Sequence, residues 1–431
     1  MTSRLFDSHI LDAGVFKDLN VLSPHYVPRE LPYRSHELKD VTRVFAQVLN
    51  NSKPNNLLIY GKTGTGKTSV VKRVAQEFTE VIASSDRNKK KVSSIVSYMN
   101  CRLGYNSKYQ VFIKILEDEK FQVGGFKKNP LEGVRNGKLS GRSPTELYGR
   151  FKDVVEANAI RLMVVLDEVD MIKDVDNLIY ILTRVNDEID EVEVDGIVKR
   201  GSVSIIGISN KYSFKNDLDP RTKSTLCEEE IVFKPYNAKQ LKTILTHRVK
   251  LGFKARTIAE SNIGLIAAYA AQTNGDARYA LKLLQKAGEI AQASNRKRVK
   301  REDVRDAKRR VEEDIIFELI TTLPEHQQIT LYSIADRLIR GSQYKKLTDS
   351  PTDVLFSGEV YENYERICKA LNRNPRTMRW FGEYLKELEM LGLVTLTTSG
   401  SGVRGNTTLI RLGTQPEYIK DIVARSLGIT D

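Results

Sequence analysis

The chain has 431 residues, 40% of them hydrophobic and 29% charged, with a formal net charge of +13 and an isoelectric point near 9.3. A single core rarely grows past about 250–300 residues, so several domains are expected, and the basic balance calls for a polyanionic partner. Three scattered cysteines, Cys101, Cys227 and Cys368, and five histidines without ligand spacing speak against a disulfide framework or a zinc centre, and the lack of a long apolar run speaks against a membrane partner and for a cytoplasmic protein.

Residues 1 to about 30 are interrupted by Pro24, Pro28 and Pro32 and read as an arm laid over a following domain. Ser35 is a plausible cap for a helix over His36 to Leu49. The apolar run Leu57-Leu58-Ile59-Tyr60 then feeds Gly61-Lys62-Thr63-Gly64-Thr65-Gly66-Lys67-Thr68, a complete G-x-x-x-x-G-K-T loop, before a helical stretch from Ser69 to Phe78. In that context successive backbone N–H groups curl around a polyphosphate, and the helix adds the positive end of its dipole. Lys67 would reach the β- and γ-phosphates and Thr68 would hold Mg²⁺.

Ser94 to Asn100 is a second strand, and Arg161 to Leu166 a third, continuous and apolar as strands buried on both faces of a parallel sheet are. The third ends in Asp167-Glu168, which places two carboxylates beside the phosphate loop. Asp167 would hold Mg²⁺ and Glu168 would polarise the water that attacks the γ-phosphate. Ser202 to Ser209 is a fourth strand, delivering Asn210 to the same edge, either to orient that water or merely to form a turn. Asn210-Lys211-Tyr212-Ser213 lacks the carboxylate of a guanine reader, so ATP is favoured over GTP. In Leu218-Asp219-Pro220-Arg221, Arg221 is either an arginine finger for a neighbouring subunit or a surface cation. Ile231-Val232-Phe233 is a short fifth strand, and strands alternating with helices argue for a doubly wound α/β domain.

A helical region from about Asn237 to Asp314, broken near Gly252, Asn274-Gly275 and Ser294-Asn295, reads as a lid. Gly275-Asp276-Ala277-Arg278 opens one of its helices. Asp276 can cap it, whereas an Arg in a first turn opposes the helix dipole, so Arg278 is a candidate second sensor for the γ-phosphate. The basic run Arg296 to Arg310 reads as a solvated helix face or linker. From 315 on, amphipathic helices precede a hairpin, Leu393 to Thr397 and Thr408 to Leu412, the order of a winged helix. There Asn374-Pro375 starts a helix running to about Leu391. Arg376, Thr377 and Arg379 near its start suit groove and phosphate contacts, Trp380 faces either DNA or the core, and Arg404 at the hairpin tip could enter a minor groove.

About 100 residues separate Lys67 from Asp167, roughly twice what one strand–helix pair needs, so something is inserted. Residues 120 to 152 are Gly-rich and carry eight Lys/Arg against two acids. The insertion resembles in its place the extra helical, DNA-touching motif of initiator-type ATPases, a resemblance that makes Lys127, Lys128, Arg135 and Lys138 candidates for DNA contact, unless the insertion is merely a solvated charged segment.

Taken together, Tyr26-Val27-Pro28-Arg29-Glu30-Leu31-Pro32 with Arg34 and Glu37, the two nucleotide motifs, Asn210, the Pro-Arg-x-Lys-Ser run at 220 to 224, the Gly-Asp-Ala-Arg motif and Leu388 to Leu393 carry a resemblance over nearly the full length. The chain resembles the AAA+ ATPases, and more narrowly the archaeal origin-recognition and cell-division-control initiators of DNA replication. Tyr33 departs from the His common before the Arg in that family. The resemblance implies an α/β AAA+ parallel-sheet domain with arm and inserted initiator motif (1–235), a helical lid (236–314) and a winged-helix DNA-binding domain (315–431). It further implies a slow, Mg²⁺-dependent ATPase that cycles between ATP and ADP, binds double-stranded origin DNA in the nucleoid and self-associates there. The protein would recruit the replicative helicase, with hydrolysis as a switch. The competing readings are a DNA-binding regulator with a structural ADP and a clamp-loader-like ATPase; the winged C-terminus counts against the second.

Overall fold

The computed structural model describes residues 14–49, 52–87, 94–123, 127–134, 137–194, 196–226, 228–341, 354–398 and 408–429. Two units divide between Lys308 and Arg309. In the first, strands β1 (Asn56–Tyr60), β2 (Ser94–Asn100), β3 (Arg161–Asp167), β6 (Ser202–Ser209) and β7 (Glu228–Val232) form a parallel sheet in the order β2-β3-β6-β1-β7. Side chains alternate across it. Leu162, Val164 and Leu166 of β3 join one core with helices α3 (Lys108–Leu116), α4 (Pro144–Ala157) and α5 (Val175–Glu188). Met163 and Val165 join another with α1 (Ser35–Leu49) and α2 (Lys67–Arg87) on the opposite face. Burial on both faces is why these strands are apolar without interruption.

Two boundaries differ from the sequence reading. The fifth strand starts at Glu228, three residues earlier than predicted, because an edge strand tolerates the run Glu228-Glu229-Glu230: Arg43 donates to Glu229 at 2.7 Å and Lys215 sits against Glu228 and Glu230. A hairpin of β4 (Glu191–Val194) and β5 (Ile197–Arg200) precedes β6 and was not predicted. Its signal was present in the alternating Glu-Val-Glu-Val before Asp195-Gly196.

After α6 (Pro220–Leu226) and β7, the chain enters helices α7 (Ala238–Gly252), α8 (Glu260–Thr273), α9 (Ala277–Ala293) and α10 (Arg301–Thr321), with breaks where the sequence placed them. The arm lies against this helical part. Phe16 packs on Phe253 with ring centroids 4.8 Å apart, the Lys17 amide donates to Gly252 O at 2.8 Å, and Arg248 donates to Val21 O at 3.0 Å.

The second unit is built on α11 (Glu325–Arg340), buried over Gln327 to Arg337. Around it stand α12 (Ser357–Ala370), α13 (Met378–Met390), α14 (Pro416–Leu427) and a small antiparallel sheet, β8 (Leu355–Phe356), β10 (Thr408–Leu412) and β9 (Val394–Thr398). The hairpin is as predicted, whereas β8 and α14 were not foreseen. α13 begins at Met378 and not at Pro375, because the preceding segment is held extended: the Arg376 amide donates to Tyr364 Oη at 3.2 Å, and Tyr361 Oη donates to Arg376 O at 3.0 Å. Among the described residues no helix is long and apolar enough to cross a membrane.

Candidate functional site

The turn from β1 into α2 needs its glycines. Gly64 and Gly66 adopt φ of 67° and 92°, and a Cβ on either would lie 1.7 Å from Asp276 Oδ1 or 2.9 Å from Tyr236 Oη. Lys67, the first residue of α2, folds back into the loop and donates to Gly61 O at 2.6 Å, Lys62 O at 2.9 Å and Asn210 Oδ1 at 2.8 Å. Burial pushes its ammonium down to about 8, with Asp167 opposing that shift and Arg278 adding to it. A cation held on carbonyl oxygens in a glycine turn is preorganised for phosphate.

Parallel register brings the carboxyl ends together. Asp167 stands beside Asn100 on one side and Ile208 on the other, so Asp167, Glu168 and Asn210 emerge on one edge. Thr68 donates to Asp167 Oδ2 at 2.9 Å, and Tyr98 donates to the same oxygen at 2.5 Å. Glu168 adopts a left-handed backbone, φ 57° and ψ 48°, and its Oε2 is buried with no hydrogen-bond partner among the described residues. Such an atom is expected where a water or a divalent ion's hydration shell belongs. The hard oxygens of Thr68 and Asp167 suit Mg²⁺.

Asp276 caps α9 as predicted, accepting from the amides of Arg278 at 2.6 Å and Tyr279 at 3.2 Å. The same region touches the loop directly, through Ala277 N to Gly64 O at 3.1 Å and Thr63 Oγ1 to Asp276 Oδ2 at 3.3 Å. Lys67, Thr68, Asp167, Glu168, Asn210 and Arg278 all line one cleft. The cleft is also lined by Pro24, Tyr26, Leu31, Ile244, His247 and Leu281, which the sequence reading missed. The prolines of the arm were the signal.

Other predicted residues fall elsewhere. Arg221 is exposed on α6, and Asp219 caps that helix by accepting from Thr222 N at 2.8 Å; Arg221 does not line the cleft. Lys127 and Lys138 are exposed, Lys127 donating to Glu193 O at 3.1 Å, and Lys128 pairs with Asp153 at 2.6 Å. Over the inserted stretch of about 120–152 a short helix, Lys120–Val123, and the start of α4 bracket described residues that are mostly turns, and Leu139 among them is buried in the sheet domain's core. In the second unit Arg376, Thr377 and Arg379 are exposed at the start of α13, and Trp380 is 58% exposed, which takes it out of the core. Arg135 and Arg404 lie outside the described residues.

Comparison with known proteins agrees with this fold. Residues 30–187 match the family model for an AAA ATPase domain, 242–309 the Cdc6 AAA+ ATPase-type lid domain, and 318–422 the CDC6 C-terminal winged helix domain. An ORC1-type DNA replication protein of Thermococcus kodakarensis is 36% identical over 423 residues, spanning 97% of this chain and 93% of the relative. The structure of the Aeropyrum pernix ORC1 protein in complex with DNA is similar at a TM-score of 0.73 and 32% identity, covering 96% of this chain and 98% of that one. The Aeropyrum pernix ORC2 protein, solved as ADPNP and ADP complexes, shares the fold at a TM-score of 0.58 and 23% identity, with 96% and 99% covered.

Proposed function

The chain belongs to the archaeal ORC1-type DNA replication proteins, AAA+ ATPases with a Cdc6-type lid and winged helix, and on that premise we propose that it binds duplex origin DNA under the control of ATP. The convergence of Lys67, Thr68, Asp167, Glu168, Asn210 and Arg278 on one cleft carries the reading. ATP lies with its phosphates in the glycine turn and its base against Tyr26, Ile244 and Leu281. Thr68 and Asp167 would hold Mg²⁺, which would supply positive charge against the phosphates. Glu168 orients the attacking water and accepts its proton, Asn210 fixes that water's second hydrogen bond, and Lys67 and Arg278 stabilise the charge that develops as the bond to the β-phosphate oxygen breaks.

Hydrolysis acts as a switch: Arg278 feels the γ-phosphate from the lid, and its loss releases the lid. Arg376, Thr377 and Arg379 read DNA through the winged domain, Lys127, Lys128, Arg135 and Lys138 touch the backbone, and Arg404 enters a minor groove. The three-part division at residues 235 and 314 follows these roles. Self-association on DNA would bring Arg221 to a neighbour's nucleotide, and the assembly would recruit the replicative helicase.

Footprinting on origin-containing and scrambled duplex, with ATP or ADP, tests the proposal. Protection confined to origin sequence and altered by nucleotide supports it. Equal, salt-sensitive binding to both sequences removes the site-specific claim. With Glu168→Gln, the protein should stay in its ATP-like footprint; a regulator with structural ADP would be indifferent to that change.

A further inference from the structure

Arg34 is an unexplained investment of charge in the sheet domain. Only 4% exposed, it lies just before α1 and does not line the nucleotide cleft. Its guanidinium is nonetheless engaged at all three nitrogens. Nε donates to Thr65 O at 3.0 Å and to Tyr236 Oη at 2.9 Å, Nη1 to Glu37 at 2.6 Å, and Nη2 to Lys234 O at 2.7 Å, while the Tyr236 ring lies 4.1 Å below the guanidinium carbon. One planar group thus joins the outer side of the phosphate loop to the segment that leads from β7 into the lid.

Tyr236 carries the connection onward. Its hydroxyl sits against Gly66, and its backbone amide donates to Gly275 O at 3.2 Å, immediately before the Asp276 cap and Arg278. The lid helix α9 is therefore joined to the phosphate loop by two routes: directly, at Thr63 and Gly64, and through Tyr236 and Arg34, at Thr65. The Thr65–Gly66 peptide cannot turn toward a phosphate without shifting its carbonyl against Arg34, and Arg34 cannot shift without moving Tyr236. A fork of coplanar donors makes this linkage stiff, which a single ammonium on a flexible stem would not.

We infer that Arg34 and Tyr236 are positioning residues that transmit the state of the phosphate loop to the lid, an inference that rests on the cleft taking up adenine nucleotide as proposed above. Arg34 touches neither substrate nor metal in this role. The pair instead sets where Arg278 stands when the loop is loaded.

Arg34→Lys and Tyr236→Phe test it in the full-length protein, by amide hydrogen exchange over residues 275–281 with ATP or ADP and by steady-state hydrolysis. In the wild type, exchange there should differ between the two nucleotides. In both variants that difference should vanish, with KM within about threefold and kcat lower by about tenfold, because binding survives and lid placement does not. A merely structural tie would lower the thermal midpoint and leave the ATP–ADP difference in place, and that result overturns the inference. Should Arg34→Lys fail to fold, Tyr236→Phe decides alone, since it keeps the stacked ring and removes only the hydroxyl. A wild type that binds nucleotide but shows no difference at 275–281 also overturns it. A wild type that takes up no nucleotide instead overturns the functional proposal on which it stands.

Discussion

Lys67 of the phosphate loop donates to Asn210 at the end of β6 across 2.8 Å, so the two motifs are already joined before any phosphate arrives. The amide is thereby oriented, its oxygen toward the ammonium and its NH₂ left for another acceptor. Asn210→Ala should lower kcat by about 10- to 100-fold while changing ADP affinity less than about threefold, the pattern of a group that positions the attacking water and not of one that binds the ground state. Single-turnover hydrolysis and calorimetric ADP titration would measure the two separately.

Burial holds Lys67 down to about 8, and a bound polyphosphate would raise it again. At pH near 8.5 the free protein is then partly deprotonated at this site and the complex is not, so nucleotide binding takes up a proton. Calorimetry in two buffers of different ionisation enthalpy should show uptake at pH 8.5 that disappears by about pH 7. Stability follows the opposite sense for this group: the unfolded chain binds more protons between the depressed value and the ordinary lysine value, so the penalty of burying Lys67 is full below about 8 and is relieved as pH rises through that window.

In the winged unit Asp336 is buried beneath Lys420 at 3.1 Å, Arg340 at 3.1 Å and Arg366 at 3.1 Å, with Asn363 at 3.3 Å. Burial alone would raise this carboxyl, but the hydrogen bonds from Lys420 and Asn363 and the Arg340 charge outweigh it and hold it below its usual range. A depressed carboxylate contributes stability that is present above its ordinary pKa and lost as pH falls through the lowered one. Asp336→Asn should cost about 2–3 kcal/mol at neutral pH and flatten the acid limb of the stability curve, read by denaturant titration between pH 3 and pH 7 at intervals of about one unit.

Arg376 and Arg379 precede the exposed Trp380 around the start of α13, and among the described residues neither has a carboxylate partner. If they read base edges, replacing either with Ala should weaken binding to origin duplex by about 1–3 kcal/mol and relax preference at one position. Loss of affinity that is equal on origin and scrambled duplex, with a salt slope reduced by about one, would assign them to phosphates. Fluorescence anisotropy at several salt concentrations separates these results.

Much of the sheet domain was legible because its strands are buried on both faces: β3 could only be a continuous apolar run, and the acids that follow it could only lie at the strand's carboxyl edge. The phosphate loop was legible for the same reason, as a short local pattern between two periodic elements. What escaped depends on partners distant in sequence. Nothing near Arg34 announces Tyr236, 202 residues away, and nothing near Tyr98 announces that its hydroxyl reaches Asp167. The start of α13 was misplaced because Tyr361 and Tyr364, from another helix, hold Arg376 extended where local propensity favoured a first turn. The edge position of β7 let three glutamates occupy a strand that composition alone would not have extended.

The arm has a mechanical consequence of its own. Arg248 of α7 grips it at Tyr26 O, and Arg34 anchors its far end to the glycine turn, so the eight residue steps between them add a further tie between the helical part and the sheet domain. At about 3.5 Å per residue they stretch to at most about 28 Å, and Pro28 and Pro32 stiffen them further. As a leash, the strap would cap how wide the mouth gapes when one nucleotide is exchanged for the next, and because Tyr26, Pro28, Glu30, Leu31 and Pro32 also line the cleft, lengthening it by a few glycines would loosen both that limit and the wall they form.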